Sequence, residues 1–160
     1  MLDNLLDIIN GLKNFDTTKE VNSIVEANKD TITELQKEQM LEGRGADGQF
    51  IRPFYSEDPY FKSAASAARY AEWKSKITPN EKRPKDVPNL FIDGTFHSSL
   101  FTKIGGGVFS IETKSFVGEK IFEEHPNAAG LDEENRKEFA TKVTLPEFGK
   151  VLEQKTTIRI

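Results

Sequence analysis

Three consecutive glycines, Gly105-Gly106-Gly107, constrain this chain more than any other feature, because the residues after them alternate as Val108-Phe109-Ser110-Ile111-Glu112-Thr113. Glycine takes positive φ without steric cost, and a period of two places successive side chains on opposite faces of a strand. The pattern predicts an antiparallel hairpin, with Phe96 to Ile104 running from a helical turn into the partner strand. Leu90-Phe91-Ile92, stopped by Asp93-Gly94, reads as a short strand, and Gln49 to Tyr55 as an extended segment with Pro53 at its edge. The last residues, Thr156-Thr157-Ile158-Arg159-Ile160, alternate like a strand.

Helical spacing flanks this β region on both sides. Leu2, Leu5, Leu6, Ile9 and Leu12 predict a short amphipathic helix ended by Gly11 or Asn14. Thr17-Thr18-Lys19-Glu20 has the form of a capping box, and Val21, Ile24, Val25, Ile32 and Leu35 carry a helical stripe to about Leu41. That stripe is narrow and interrupted at Asn28, which predicts a helix lying across a surface. A further helix is expected over 63–77, with Ala64, Ala67, Ala68, Ala71 and Trp73 on its packed face. Ser115 to His125 reads as another, stopped by Pro126. Asp132 is placed to cap a helix that runs through Phe139 and Val143 until Pro146 kinks or restarts it.

The expected fold is therefore α+β: an antiparallel sheet with a hairpin, flanked by N-terminal and C-terminal helices, in a single domain over 1–160. Residues 1–44 form a helical N-terminal arm, 45–114 the sheet with an inserted helix, and 115–160 the C-terminal helices and tail. A chain of 160 residues with twelve Phe, three Tyr and one Trp has aromatic surface enough for a packed core.

Composition removes several function classes. With no cysteine, disulfides, thiolate metal sites and cysteine nucleophiles are excluded. No run reaches the roughly 20 apolar residues of a membrane span, so no membrane partner is expected. Met1-Leu2-Asp3-Asn4 places an acid where a secretory signal carries bases, so export by that route is not expected. The net charge of −4 argues against general nucleic-acid binding, which depends on neutralising phosphates.

The chemistry-bearing motifs are few. Gly43-Arg44-Gly45-Ala46-Asp47-Gly48 spells GxGxxG, but a phosphate-binding loop needs a strand before it and a helix after it, and here the order is reversed. His97 and His125 lack metal-ligand spacing, and His97-Ser98-Ser99 lacks the GxSxG elbow of a nucleophile, so neither metal, cofactor nor enzyme activity is expected. Asp132-Glu133-Glu134 is explained by capping and the helix dipole. Lys74, Lys76, Lys82, Arg83 and Lys85 form a basic run that leads from the end of the helix expected over 63–77 into a stretch read as a solvated loop over 78–88.

One longer pattern stands out: Leu41-Glu42-Gly43, Asp47-Gly48, Ile51, Tyr55-Ser56, Tyr60 and Lys62. It resembles a pattern in small morphogenesis proteins of tailed bacteriophages, where a helix ending in L-x-x-G precedes a D-G turn, an extended I-x-x-Y-S and a Y-x-x-K. Leu90 to Leu100, with Gly94 and Ser99, is similar to that family's L-x-x-T-G-x-L/F-x-x-S, with Asp93 standing where Thr is common. Gly130-Leu131-Asp132-Glu133-Glu134-Asn135-Arg136 before a Pro-containing helix is similar to the same group, and the resemblance spans about residues 30–152.

The resemblance implies a non-catalytic structural protein of the virion, a head–tail connector, neck or tail-completion (terminator) component. The implied partners are copies of the chain in a homo-oligomeric ring, a portal or adaptor ring, and tail proteins of the same phage. The implied location is the virion, with the host cytoplasm during assembly. Gly43, Asp47, Gly48, Tyr55, Ser56, Tyr60, Lys62, Gly94 and Ser99 carry the pattern, as structure and not as catalysts. The segments 50–61 and 91–101 are expected to be core, and Ile158 and Ile160 to be contact elements. The alternative is a small adaptor that grips nucleic acid or a host protein through the basic loop.

Overall fold

Gly106 and Gly107 adopt φ of 60° and 78°, and Gly105 pairs with Val108, so the two glycines form the two-residue turn that demands positive φ at both positions. The computed structural model describes residues 9–13 and 15–156. Its sheet consists of this hairpin: β1 (Leu100–Gly105) runs antiparallel to β2 (Val108–Thr113), in a register that sets Leu100 opposite Thr113. Around it lie α1 (Thr17–Ala27), α2 (Lys29–Leu41), α3 (Ala64–Ile77), α4 (Thr95–Ser99), α5 (Phe116–Glu124), α6 (Glu133–Phe139) and α7 (Leu145–Thr156). The fold is α+β, with helices before and after the hairpin as the sequence predicts.

Helix ends follow local chemistry closely. Ser63 and Ser66 close a reciprocal capping box on α3, Ser115 caps α5, and Asp132 caps α6 by accepting from the Asn135 amide at 2.9 Å. At the start of α1 the cap is Asp16, which accepts from Lys19 N at 3.0 Å, and not Thr17. A carboxylate one residue earlier outcompetes the hydroxyl because its charge also suits the helix dipole. Between α6 and α7 the chain widens into a π-helical turn over 140–144, in which the Leu145 amide donates to Ala140 O. Pro146 supplies no amide there and crowds the carbonyl four residues back, and the wider turn accommodates it.

The core corrects the reading of the N-terminal arm. The expected single helix over 17–41 is two helices, parted at Asn28, whose side-chain amide donates to Ile24 O at 2.8 Å. α2 packs on β1 and does not cross a surface: it buries Ile32, Thr33, Gln36, Gln39 and Met40, the 3–4 spacing of one helical face. Ile32 and Met40 join Ile51, Phe96, Leu100, Ile111, Ala128, Leu131 and Phe139 in the main core. The stripe looked thin because half of that face is polar. α1 packs against α7, where Phe15 meets Phe148 edge-on at 5.7 Å.

Two expected extended segments do not pair as strands. Within 49–55 the only pairing is the isolated bridge Arg44–Phe50, because Pro53 offers no amide and the chain turns at once into Tyr55. Leu90 takes φ 54°, which breaks the extended geometry that 90–92 would need. The part of the N-terminal helix before residue 9, and Ile158 and Ile160 of the expected terminal strand, lie outside the described residues; Thr156 ends α7.

Candidate functional site

A cavity of about 350 Å³ opens between the segment after Pro53, α3, the segment before Asp93 and the end of α5. Its walls follow from one aromatic cluster. Tyr55 is buried and stands edge-on to Tyr70 at 5.0 Å and to Phe61 at 6.2 Å, and Ala67 and Ala71 of α3 pack beneath. Small residues on that helix face let the rings lie close to its backbone. Burial raises the Tyr55 phenol above its ordinary range, with the Tyr70 hydroxyl adding to the effect. Tyr60 and Ile92 stand at the rim, 82% and 72% exposed.

One side chain in this wall is out of keeping with it. Lys74, one turn beyond Tyr70, is only 1% exposed, and its ammonium has no hydrogen-bond partner among the described residues. The nitrogen lies 5.9 Å from the centroid of Phe91, another lining residue. Burial, helped by the nearby Arg83 charge, pushes Lys74 down to about 8. Arg83 is buried as well: its terminal nitrogens donate to Val87 O at 2.7 Å and Thr78 O at 2.9 Å, while its Nε has no partner. His97 Nε2 donates to Asn89 O at 3.1 Å, and burial lowers its pKa. His125, the C-cap of α5, donates from Nδ1 to Arg52 O at 2.7 Å and lines the cavity.

Of the residues of the motif pattern, only Tyr55 and Tyr60 line this cavity. Gly43 takes φ +72°, where a Cβ would come within 2.5 Å of the Val87 side chain. Asp47 Oδ1 accepts from Gln49 N at 3.0 Å, and Gly48 turns at φ +74° in open space. Ser56 binds Asp86 through both its amide and its hydroxyl. Lys62 is exposed. Gly94 precedes α4 at φ +85°, and Ser99 Oγ lies 2.7 Å from both Phe96 O and Thr113 Oγ1. His97 and Ser99 thus face different partners. The segments 50–61 and 91–101 are only partly core: Ile51, Tyr55, Phe96 and Leu100 are buried, whereas Tyr60 and Ile92 project outward.

The packed face of α3 also differs from the expected one, since Ala64, Ala68 and Trp73 are exposed and Lys74 takes the place assigned to Trp73. Nor is 78–88 a wholly solvated loop, because Arg83, Val87 and Pro88 are buried. The basic run is dispersed by ion pairs of Lys82 with Glu42 and of Lys85 and Lys76 with Glu72. Sequence reasoning missed Lys74 because a lysine inside a basic run reads as solvent-facing. Its i+3 and i+7 spacing from Ala71 and Ala67 was the available signal.

Among the described residues no group of three or more His, Asp and Glu side chains is placed to hold a metal ion, and no helix is long and apolar enough to cross a membrane. Compared with known protein families, curated proteins and solved structures, the chain shows no match.

Proposed function

We propose that the protein is a structural virion component of a tailed bacteriophage, one wedge of a homo-oligomeric ring at the neck or tail completion. The observation that carries the reading is that large apolar residues stand exposed on several separate elements of the fold. Tyr60 and Ile92 project at the cavity rim, while Val108 on the hairpin and Phe116 and Val117 at the start of α5 are 68%, 70% and 62% exposed. Apolar surface left on two different elements is what a head-to-tail contact between copies requires, and such contacts close into rings when the rotation permits. The motif residues support the same reading, because Gly43, Ser56, Gly94 and Ser99 shape turns and internal hydrogen bonds.

Quantitative mass spectrometry of purified particles, counting this chain against the portal, tests the proposal. A ratio matching a small ring is the expected result. Absence of the chain from intact particles would overturn it.

A further inference from the structure

We propose that the cavity beside α3 is a ligand site for a small carboxylate carried on an aromatic or aliphatic body, with the Lys74 ammonium as partner of the anion. The inference does not need the virion reading: the two share the rim residues Tyr60 and Ile92, but this one rests on Lys74 and the inner walls.

A lysine ammonium withdrawn from water without a partner is costly, and in folded proteins such groups are paired or lose their charge. Lys74 is almost wholly buried, and its nitrogen has no hydrogen-bond partner among the described residues. Its surroundings compound the cost. Arg83 is the next cation, and its Nε is also unpartnered. His97 is held through Nε2 to a backbone carbonyl. Asp58 is the one carboxylate among the lining residues, and its Oδ1 is taken by the Tyr60 amide, with no ion pair to Lys74. This corner therefore has an excess of positive charge and spare donors, which an incoming anion would neutralise and a cation would be repelled by.

The rest of the cavity sets the body of the ligand. Its volume falls near the lower end of the ~300–1,000 Å³ of ligand pockets, which combine apolar walls with a few placed polar groups. Tyr55, Phe61, Tyr70 and Phe91 supply aromatic wall, and Leu90 and Ile121 aliphatic wall. A carboxylate meeting the ammonium while its apolar part lies among these rings satisfies both halves of the site.

Titrating the full chain with 3-phenylpropionate, its neutral analogue 3-phenylpropanamide and the cation 3-phenylpropylamine, followed by amide chemical shifts, tests the site. At pH 7 the carboxylate should bind at least about ten-fold tighter than the amide, the factor that 1.4 kcal/mol gives, and the amine weakest. The shifts should centre on Tyr55, Tyr70, Phe91 and Lys74. Lys74→Met should reduce the carboxylate to the level of the amide.

Raising the pH of the unaltered protein to 9.5, above the point near 8 where Lys74 gives up its proton, should erase the preference without any substitution. Of the other groups in reach, burial lowers the His97 pKa, so its imidazole carries no charge change across this range; Asp58, Tyr60 and His125 also face the cavity. Tyr55 and Tyr70 have raised pKa values and stay neutral through it. Equal binding of carboxylate and amide at pH 7, a preference that survives either Lys74→Met or pH 9.5, or no shift at the cavity with millimolar carboxylate would each overturn the proposal.

Discussion

Where α2 meets the loop before α6, Gln36 and Gln39 are both 0% exposed, and every polar atom of their side chains is used. Gln36 donates to Ala128 O at 2.9 Å and accepts from Gly130 N at 2.8 Å. Gln39 donates to Gly130 O at 2.9 Å and accepts from Asp132 N and Asn135 Nδ2 at 2.8 and 3.0 Å. On α3, by contrast, Lys74 is buried as deeply, and its ammonium bonds nothing among the described residues. The first pair fixes one loop in one position, since any other register would strand these groups in a dry interior. The lysine fixes nothing, and its burial opposes folding. Buried polarity that is fully matched specifies a structure, and buried polarity left unmatched is a cost carried for another purpose.

Gln39→Ala is the strongest way to break this contrast. It would leave Gly130 O, Asp132 N and Asn135 Nδ2 without their partner, at ~1–3 kcal/mol for each group left unsatisfied. Allowing for water reaching part of the gap, denaturant unfolding should show a loss of about 3–5 kcal/mol. A loss under about 1 kcal/mol would mean that the loop is held by its apolar contacts, and that the glutamines merely fill space.

Lys74→Met should move stability in the opposite direction, by about 1–3 kcal/mol at pH 7, because it replaces an unpaired buried cation with an apolar side chain of similar length. The same substitution abolishes the proposed carboxylate preference, so stability gained and binding lost belong to one atom. Unfolding midpoints that fall on this change would show that the ammonium has a stabilising partner.

The pH dependence gives that effect a sign without mutation. Lys74 ionises near 8 when folded and near 10.5 when unfolded, so between those values the unfolded chain holds more protons and stability rises with pH. From pH 7 to 9.5 the rise due to Lys74 should be about 2 kcal/mol, since each tenfold difference in proton affinity between the folded and unfolded chain is worth about 1.4 kcal/mol. Above about 10 the buried Tyr55 acts the other way, because its phenol stays protonated in the fold while the unfolded chain releases its proton. Thermal melts of the natural sequence should therefore rise from pH 7 to a maximum slightly above pH 10, and Lys74→Met should lose that rise.

Local signals in the sequence were good guides where the cause was local. The glycine turn of the hairpin, the Asp132 cap and the restart at Pro146 each depend on a few neighbouring residues, and each was readable. What lay hidden depends on distant partners. Gln36 and Gln39 count as surface until the loop over 90 positions later arrives to satisfy them. Lys74 counts as part of a charged run until the fold buries it with Phe91 beside its ammonium. The paired strand expected at 90–92 failed for a related reason: Leu90 adopts φ 54° to place Phe91 and Ile92 around the cavity, a demand that its own propensity does not express. Of the nine motif positions, only Tyr55 and Tyr60 line the cavity, and its decisive residue, Lys74, is not among them.

The smallest expected effect is also the one that asks whether the two corners are separate. Glu42 at the end of α2 stands between them: it accepts from Arg44, which also pairs with Asp132, and from Lys82 in the loop that carries Arg83. Opposing burial, these hydrogen bonds hold its carboxyl below the usual range. If this chain of charges transmitted strain, removing the glutamine latch would change what Lys74 costs. Gln39 and Lys74 share no hydrogen-bond partner, and Lys82 is 73% exposed, where ion pairs couple weakly. The double variant Gln39→Ala with Lys74→Met should therefore equal the sum of the single changes to within about 0.5 kcal/mol, as independent sites do. A larger interaction energy in that cycle would make the latch and the cavity a single unit, and would place Glu42 at its centre.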